Sequence, residues 1–307
     1  MRSAALVAGF LLAYPAAPLV GQGMPFYTPT ALPLPLAESS IRSFYRHVEL
    51  RSMLDQGREV ANPDGIRVGV DVVPVVAPYG LTRRTLVVAG IPYMRKTFER
   101  SGTNQTNSGV GDAFILVKQE LLAADFVAGN RRLAIFGGAT LPTGETEDET
   151  GPLPAPLRLG AGVVNLTGQA VYSYVNNRIG AHGAVAYTAA AASDGGVRIG
   201  DRFGYDLALG LRLFPAVYRT LRDVTLGAYL EFNGTVEQPA STGGDPLADT
   251  GGHTLFVSPG LQLIPLPNWA IEASFQLPVV RELRGVQLAP DWAFAIGARA
   301  VFYLLGG

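Results

Sequence analysis

The sequence predicts a transmembrane antiparallel β-barrel, an all-β fold of about twelve strands with short periplasmic turns and long extracellular loops. Three observations predict it. Segments of alternating apolar and polar residues recur along the chain, as in "RFGYDLALGLRLFP" at 202–215, where Phe203, Tyr205, Leu207, Leu209, Leu211 and Leu213 share one parity. Side chains of a strand alternate faces, so this pattern is a strand between an apolar medium and a wet one. Charged residues are only 16% of the chain, yet no uncharged stretch after the N-terminal region approaches the ~20 residues a membrane helix requires. Backbone in lipid must be fully paired, which leaves a closed barrel as the other spanning form. Thirdly, the joins between segments alternate in length, as outer-membrane barrels pair short periplasmic turns with longer external loops.

The elements follow in order. "MRSAALVAGFLLAYPAAPLVGQG" has Arg2 ahead of an apolar run at 4–13 and then small residues, which reads as a cleaved secretory signal peptide over 1–22. Residues 23–40 form a Pro-rich segment that is no strand. It is expected to be a periplasmic linker, and the alternative is that Phe26, Tyr27 and the Leu-Pro run fold back to narrow the pore. The barrel then occupies 41–304, with strands expected at 41–51, 66–77, 82–95, 109–120, 131–141, 160–174, 178–189, 202–213, 223–234, 254–264, 268–280 and 292–303. Both termini fall on the periplasmic side. The first strand mixes its parities and the third is apolar on both faces through its middle. Odd joins such as "SMLDQGREVANPDG" and "RELRGVQLAPD" are each expected to be longer than even joins such as "VNN", "PLP" and "LLAADFVAGN".

In the later strands Leu209, Leu230, Ile271 and Ile296 sort outward. The inward parity supplies the expected lumen: Asp112, Lys118, Glu120, His182, Asp206, Arg212, Tyr229, Glu231, Phe256, Gln262, Glu272, Gln276 and Arg299. Their charges are of both signs, which predicts a wall braced by cross-strand pairs and little ion selectivity. Solute contacts would come from side chains such as Tyr229 and Phe256.

The blocks "AGIPYMRKTF", "SGVGDAFILVKQEL", "LPTGETEDE", "GAGVVNLTGQAVYSY" and "LFVSPGLQLIP" resemble those of the outer-membrane family named for the MetA pathway of phenol degradation. The resemblance runs from about residue 44 to 303. It implies an outer-membrane barrel with a role in the passage of small organic compounds, and the blocks mark strand ends and turns more than any substrate.

The expected function is therefore an outer-membrane channel for passive passage of small, hydrophobic or aromatic, organic molecules in a Gram-negative bacterium. The alternatives are a barrel with a structural or surface-interaction role and, less favoured, a lipid-modifying enzyme. No enzyme is expected: His47, His182 and His253 lie in no nucleophile motif, although His182 would face Ser173 or Gln169 across a tight turn. No cofactor or metal is expected, because the histidines are scattered and cysteine is absent. The acidic loop carrying Glu145, Glu147, Asp148 and Glu149 lacks the regular ligand spacing of a calcium motif and reads as a solvated external loop. Expected partners are outer-membrane lipids and lipopolysaccharide, a small-molecule solute, and the barrel-assembly machinery during insertion. The net charge of -1 offers nucleic acid no basic footprint.

Overall fold

A computed structural model of the chain describes residues 25–148, 151–191, 196–220 and 222–303, so the expected signal peptide lies outside the described residues. Twelve antiparallel strands form the barrel: β1 (Glu38–Asp55), β2 (Arg67–Gly80), β3 (Thr85–Arg100), β4 (Ala113–Phe126), β5 (Gly129–Leu141) and β6 (Asn165–Asn176), then β7 (Ile179–Ala190), β8 (Arg202–Phe214), β9 (Thr225–Glu237), β10 (Gly252–Leu266), β11 (Trp269–Leu283) and β12 (Val286–Tyr303). Each pairs with its neighbour in sequence, and β12 pairs back onto β1 from Glu38 opposite Tyr303 to Asp55 opposite Val286. That last ladder removes both free edges, which is the condition for β-structure to cross lipid. No helix among the described residues is long and apolar enough to cross a membrane.

Alternation decides which way each side chain points. On β8 Phe203, Leu207, Leu209, Leu211 and Leu213 are exposed on the outer face, whereas Gly204, Asp206, Ala208 and Gly210 turn into the barrel and are buried. The same division holds on β11, with Trp269, Ile271, Phe275 and Leu277 outside and Ala270, Glu272, Ser274 and Gln276 inside. Aromatic rings gather outside toward the long-join end, where Trp292 stacks between Phe275 (6.1 Å) and Phe294 (6.0 Å) and Tyr45 packs on Phe294. Phe126 and Tyr174 stack at 5.8 Å near the opposite end. Such girdles mark the two interfaces of a lipid-facing belt.

The two awkward strands have physical explanations. β1 runs further than 41–51 at both ends, and its register slips at Glu49–Leu50 and Leu50–Ser52. A bulge shifts the alternation by one residue, so a single parity cannot describe the strand. Below the bulge Arg42, Phe44, Arg46 and Val48 face inward. On β3 the inward Leu86 and Val88 are buried in an apolar cluster inside the barrel while Val87, Ala89 and Ile91 face outward.

The joins depart from the expected rule in two places. "RELRGVQLAPD" is almost wholly strand, closed by a two-residue turn at 284–285, so one join on the long side is short. On the short side "LLAADFVAGN" is likewise mostly strand, whereas residues 215–224 form an open connection. Other long joins extend as strands too: Arg58–Val60 pairs onto β1, and Thr103–Val110 pairs onto the outer half of β3. The rule failed there because alternation continues into the aqueous zone, where polar residues no longer distinguish a strand from a loop.

A belt of this kind gives a depth-dependent prediction. Leu209→Arg, at mid-strand, should destabilise the barrel by ~2–4 kcal/mol, and Leu213→Arg, near the strand end, by about 0–1 kcal/mol. Urea titration in lipid vesicles, followed by the heat-modifiable gel shift, measures both; equal costs would show that the belt has been misplaced.

Candidate functional site

The interior is occupied by the chain's own N-terminal segment. Residues 25–37 enter the barrel, where Phe26, Thr28, Thr30, Ala31, Leu32 and Leu34 are buried. The expected linker is thus overturned in favour of the fold-back. Composition explains why it can lie there. Pro25, Pro29, Pro33 and Pro35 carry no N–H, so fewer backbone donors have to be satisfied away from water. Those of Phe26 (2.6 Å), Tyr27 (3.0 Å) and Thr28 (2.7 Å) donate to the two carboxylate oxygens of Glu231, and that of Ala31 donates to Ser173 Oγ at 2.8 Å.

The carbonyls are served by cations. Arg42 Nη2 donates to the Phe26 carbonyl at 2.9 Å, and Lys118 Nζ donates to the carbonyls of Thr30 (3.0 Å) and Leu32. The Arg42 guanidinium also lies 4.6 Å from the Phe26 ring centroid, and that of Arg46 lies 5.6 Å from Tyr27. The segment leaves the lumen at Ala37, which adopts a left-handed φ of 61° and donates its N–H to the Gly80 carbonyl. Gly80 has to be glycine: a Cβ there would stand 2.1 Å from the Pro35 carbonyl oxygen.

Around this plug the wall divides into two sectors. On β2 to β7 it is mainly apolar, with Val76, Leu86, Val88, Leu116, Phe136 and Val171 packed in one cluster with Ala31 and Leu34 of the plug, and Lys118, Ser173 and His182 as polar exceptions. From β8 round to β1 it is polar. Arg42 Nε donates to Glu272 Oε1, Gln262 Nε2 to Glu272 Oε2 (3.1 Å) and Arg46 Nη2 to Gln276 Oε1 (2.7 Å). Asn233 joins Asp206 (2.8 Å) to Ser258 (3.0 Å), which in turn meets Gln276. Arg299 lies opposite Arg42 in the β1–β12 register, in the field of Glu272 and Glu38. The two arginines side by side thus have the carboxylates of Glu272 and Glu38 near them, which offsets their repulsion.

The residues expected in the lumen do not form one set. Lys118, Glu231, Glu272, Gln262, Gln276, Asp206 and Arg299 are buried within it. Tyr229 is buried too, its ring against Gly210, where a Cβ would stand 2.5 Å away; Phe256 is half-buried on the inward parity. His182 sits opposite Ser173 in the β6–β7 register, with Nδ1 2.9 Å from Ser173 Oγ. Since Ser173 Oγ accepts the Ala31 N–H, its own hydroxyl proton is left to donate to His182 Nδ1. Glu120 is buried beside Arg132 (3.5 Å), near the short-turn end. Arg212 lies at that mouth as well, 4.1 Å from the Tyr218 ring centroid.

Asp112 plays a different part from the expected one. It lies between Thr103–Val110 and β4 and accepts the N–H groups of Gly144 (3.0 Å) and Ala161 (2.7 Å), which fastens the connection at 142–164. Glu145, Glu147 and Asp148 are exposed, as a solvated loop requires, while beyond them Leu153, Leu157, Leu159 and Val163 are buried, and Leu159 joins Val68, Val70 and Met94 in an apolar cluster. Glu149 lies outside the described residues, and no cluster of His, Cys, Asp or Glu able to hold a metal occurs among those described. Sequence reasoning set Ser173 opposite His182 without giving it the Ala31 N–H, and it did not place Arg42 and Arg46 in the lumen. Once β1 is read below its bulge, Arg42 and Arg46 fall on the inward parity, which is the signal that would have found them.

No protein-family model matches the chain, and neither does any curated protein. Among solved structures it is similar to the COG4313 outer membrane channel from Pseudomonas putida F1, with 15% identity and a TM-score of 0.70 over 88% of this chain and 97% of that one. The fold is that of an outer-membrane β-barrel. At that level the likeness agrees with the resemblance carried by the sequence blocks. The translocator domain of the autotransporter NalP from Neisseria meningitidis is a looser match, with 10% identity and a TM-score of 0.46 over 86% of this chain and 88% of that one.

The buried pair at Glu272 is open to test. Glu272→Ala leaves the buried Arg42 without the carboxylate it donates to and should cost ~3–5 kcal/mol. Adding Arg42→Ala should restore part of that loss. Unfolding midpoints of the two single variants and the double variant form the cycle, and simple additivity would show that the pair is not coupled.

Proposed function

We propose that the protein is an outer-membrane channel for passive passage of small organic molecules, with residues 25–37 as a resident plug that must shift before the pore conducts. The observation that carries this reading is the two-sided lumen. A purely structural interior would pack best as a single apolar core, whereas here a polar wall and an apolar wall face each other across a removable strip of chain. A solute with an apolar body and one or two polar groups could lie in the space the strip now fills, its body against Leu86, Val88 and Phe136 and its polar groups toward Asn233 and Gln276. The structure similar in fold is described as a channel, which supports the same reading. Since the polar wall mixes Arg42, Arg46 and Arg299 with Asp206, Glu231 and Glu272, ion selectivity is expected to be weak.

We assign the protein no enzymatic role. Ser173 and His182 have the makings of a nucleophile and base, but Ser173 Oγ is covered by the plug backbone. His182 Nε2 has no partner among the described residues. The pair reads as the anchor for Ala31. The filled lumen also favours a second reading, a barrel that serves as a surface or structural element without transport.

Planar-bilayer recordings separate these readings. Glu231→Ala leaves three buried N–H groups of the plug unpaired, at ~1–3 kcal/mol for each, so openings should become at least about a hundredfold more frequent. A Thr28→Cys/Asn233→Cys variant, in a chain without other cysteines, should be silent when oxidised and should conduct again on reduction. The two side chains now lie 3.4 Å apart. If Glu231→Ala and the reduced double variant both stay closed, the barrel is not a channel.

A further inference from the structure

Exposed arginines occur at both ends of the barrel. At the long-join end Arg67 meets Glu49 (2.6 Å) and Arg100 meets Asp64 (2.7 Å), whereas Arg58 and Arg284 make no ion pair among the described residues. At the short-turn end Arg83, Arg84, Arg131 and Arg222 are exposed, and none of them makes an ion pair among the described residues. The acids nearby are already engaged. Asp125 and Glu120 pair with Arg132, while Asp223 accepts the N–H groups of Arg219 (2.6 Å) and Thr220 and the Thr220 hydroxyl.

These cations also stand where lipid ends. Arg131 pairs with Ala124 and Tyr174 on the neighbouring strands and shares the outward parity of Leu133 and Ile135. It lies beside the stacked rings of Phe126 and Tyr174, next to a turn whose Val127 is fully exposed. Arg222 comes two residues before the exposed Val224, in a connection that also exposes Val217 and Tyr218. Arg83 follows the exposed Leu81. The short turns at 81–84 and 127–128 and the connection at 215–224 thus repeat one motif, an unpaired guanidinium beside an exposed apolar side chain.

We propose that this arc is a docking surface for anionic glycerophospholipid headgroups in the leaflet at the short-turn end. A guanidinium presents a planar fork of donors that matches a phosphate group. Amphipathic side chains at the interface keep their apolar parts in the acyl layer and their charges among the headgroups. The outward parity of Arg131 places it against lipid and away from the lumen, which separates this role from filtering anions at the pore mouth. An acidic protein partner would find the charges but would leave Val127, Val217 and Leu81 without an apolar neighbour.

Native mass spectrometry of the full chain, released from detergent with phosphatidylglycerol or phosphatidylcholine added, tests the proposal. The wild type should retain phosphatidylglycerol in preference to phosphatidylcholine. Arg83→Gln/Arg131→Gln/Arg222→Gln should lose that preference by about fivefold per arginine, from the usual pull of a surface cation on anionic lipid. Arg58→Gln/Arg284→Gln, at the other end, should retain it. The idea is overturned if the triple variant keeps the preference or if the control loses as much. Should the triple variant fail to fold, Arg131→Gln alone gives the same reading at its single-residue size, and an unchanged preference there overturns the idea equally.

Discussion

The closing ladder between β1 and β12 is the constraint on which everything else depends. An unpaired N–H or C=O in lipid costs several kcal/mol, so a sheet in a membrane has to end on itself. Once it does, the hydrogen-bond ladders settle the backbone, and side chains are free to specialise by face. The outer face becomes a leucine-rich belt bounded by rings. The inner face is left with a volume that something must fill.

What fills it is a short strip of chain chosen by its chemistry. A segment with ordinary backbone would bring a donor at every residue into a dry lumen. Four prolines thin those donors out, Glu231 and Ser173 accept from several of those that remain, and Arg42 and Lys118 donate to the carbonyls. Glu231 is central because its two oxygens take three consecutive N–H groups, so one carboxylate sets where Phe26, Tyr27 and Thr28 sit. The contacts are numerous yet use few wall residues.

The same division of labour appears at the ends. At the long-join side Asp112 holds Gly144 and Ala161 in place, and Leu159 packs with Val70 and Met94. At the short-turn side exposed arginines without an ion pair among the described residues stand beside apolar tips.

How much of this could be read from the chain differs from element to element. Outward residues such as Leu209, Ile271 and Phe275 declare themselves because lipid imposes one requirement, apolarity at every second position, over many residues and strands. The number of strands and the antiparallel barrel follow from that repetition. Inward residues carry no such single requirement, since a lumen accepts Leu86 and Glu231 alike, so parity placed Lys118 and Glu272 inside without saying what they hold. That Glu231 grips Phe26, some two hundred residues away, or that Arg42 donates to Glu272, depends on which strands become neighbours when the sheet closes. The bulge in β1 hid Arg42 from the pattern, and prolines that excluded a strand could not say whether the segment lay outside the barrel or within it. Local alternation determined the barrel by itself; the plug and the two-sided lumen were decided by tertiary structure, because each depends on contacts across a cavity that exists only after closure.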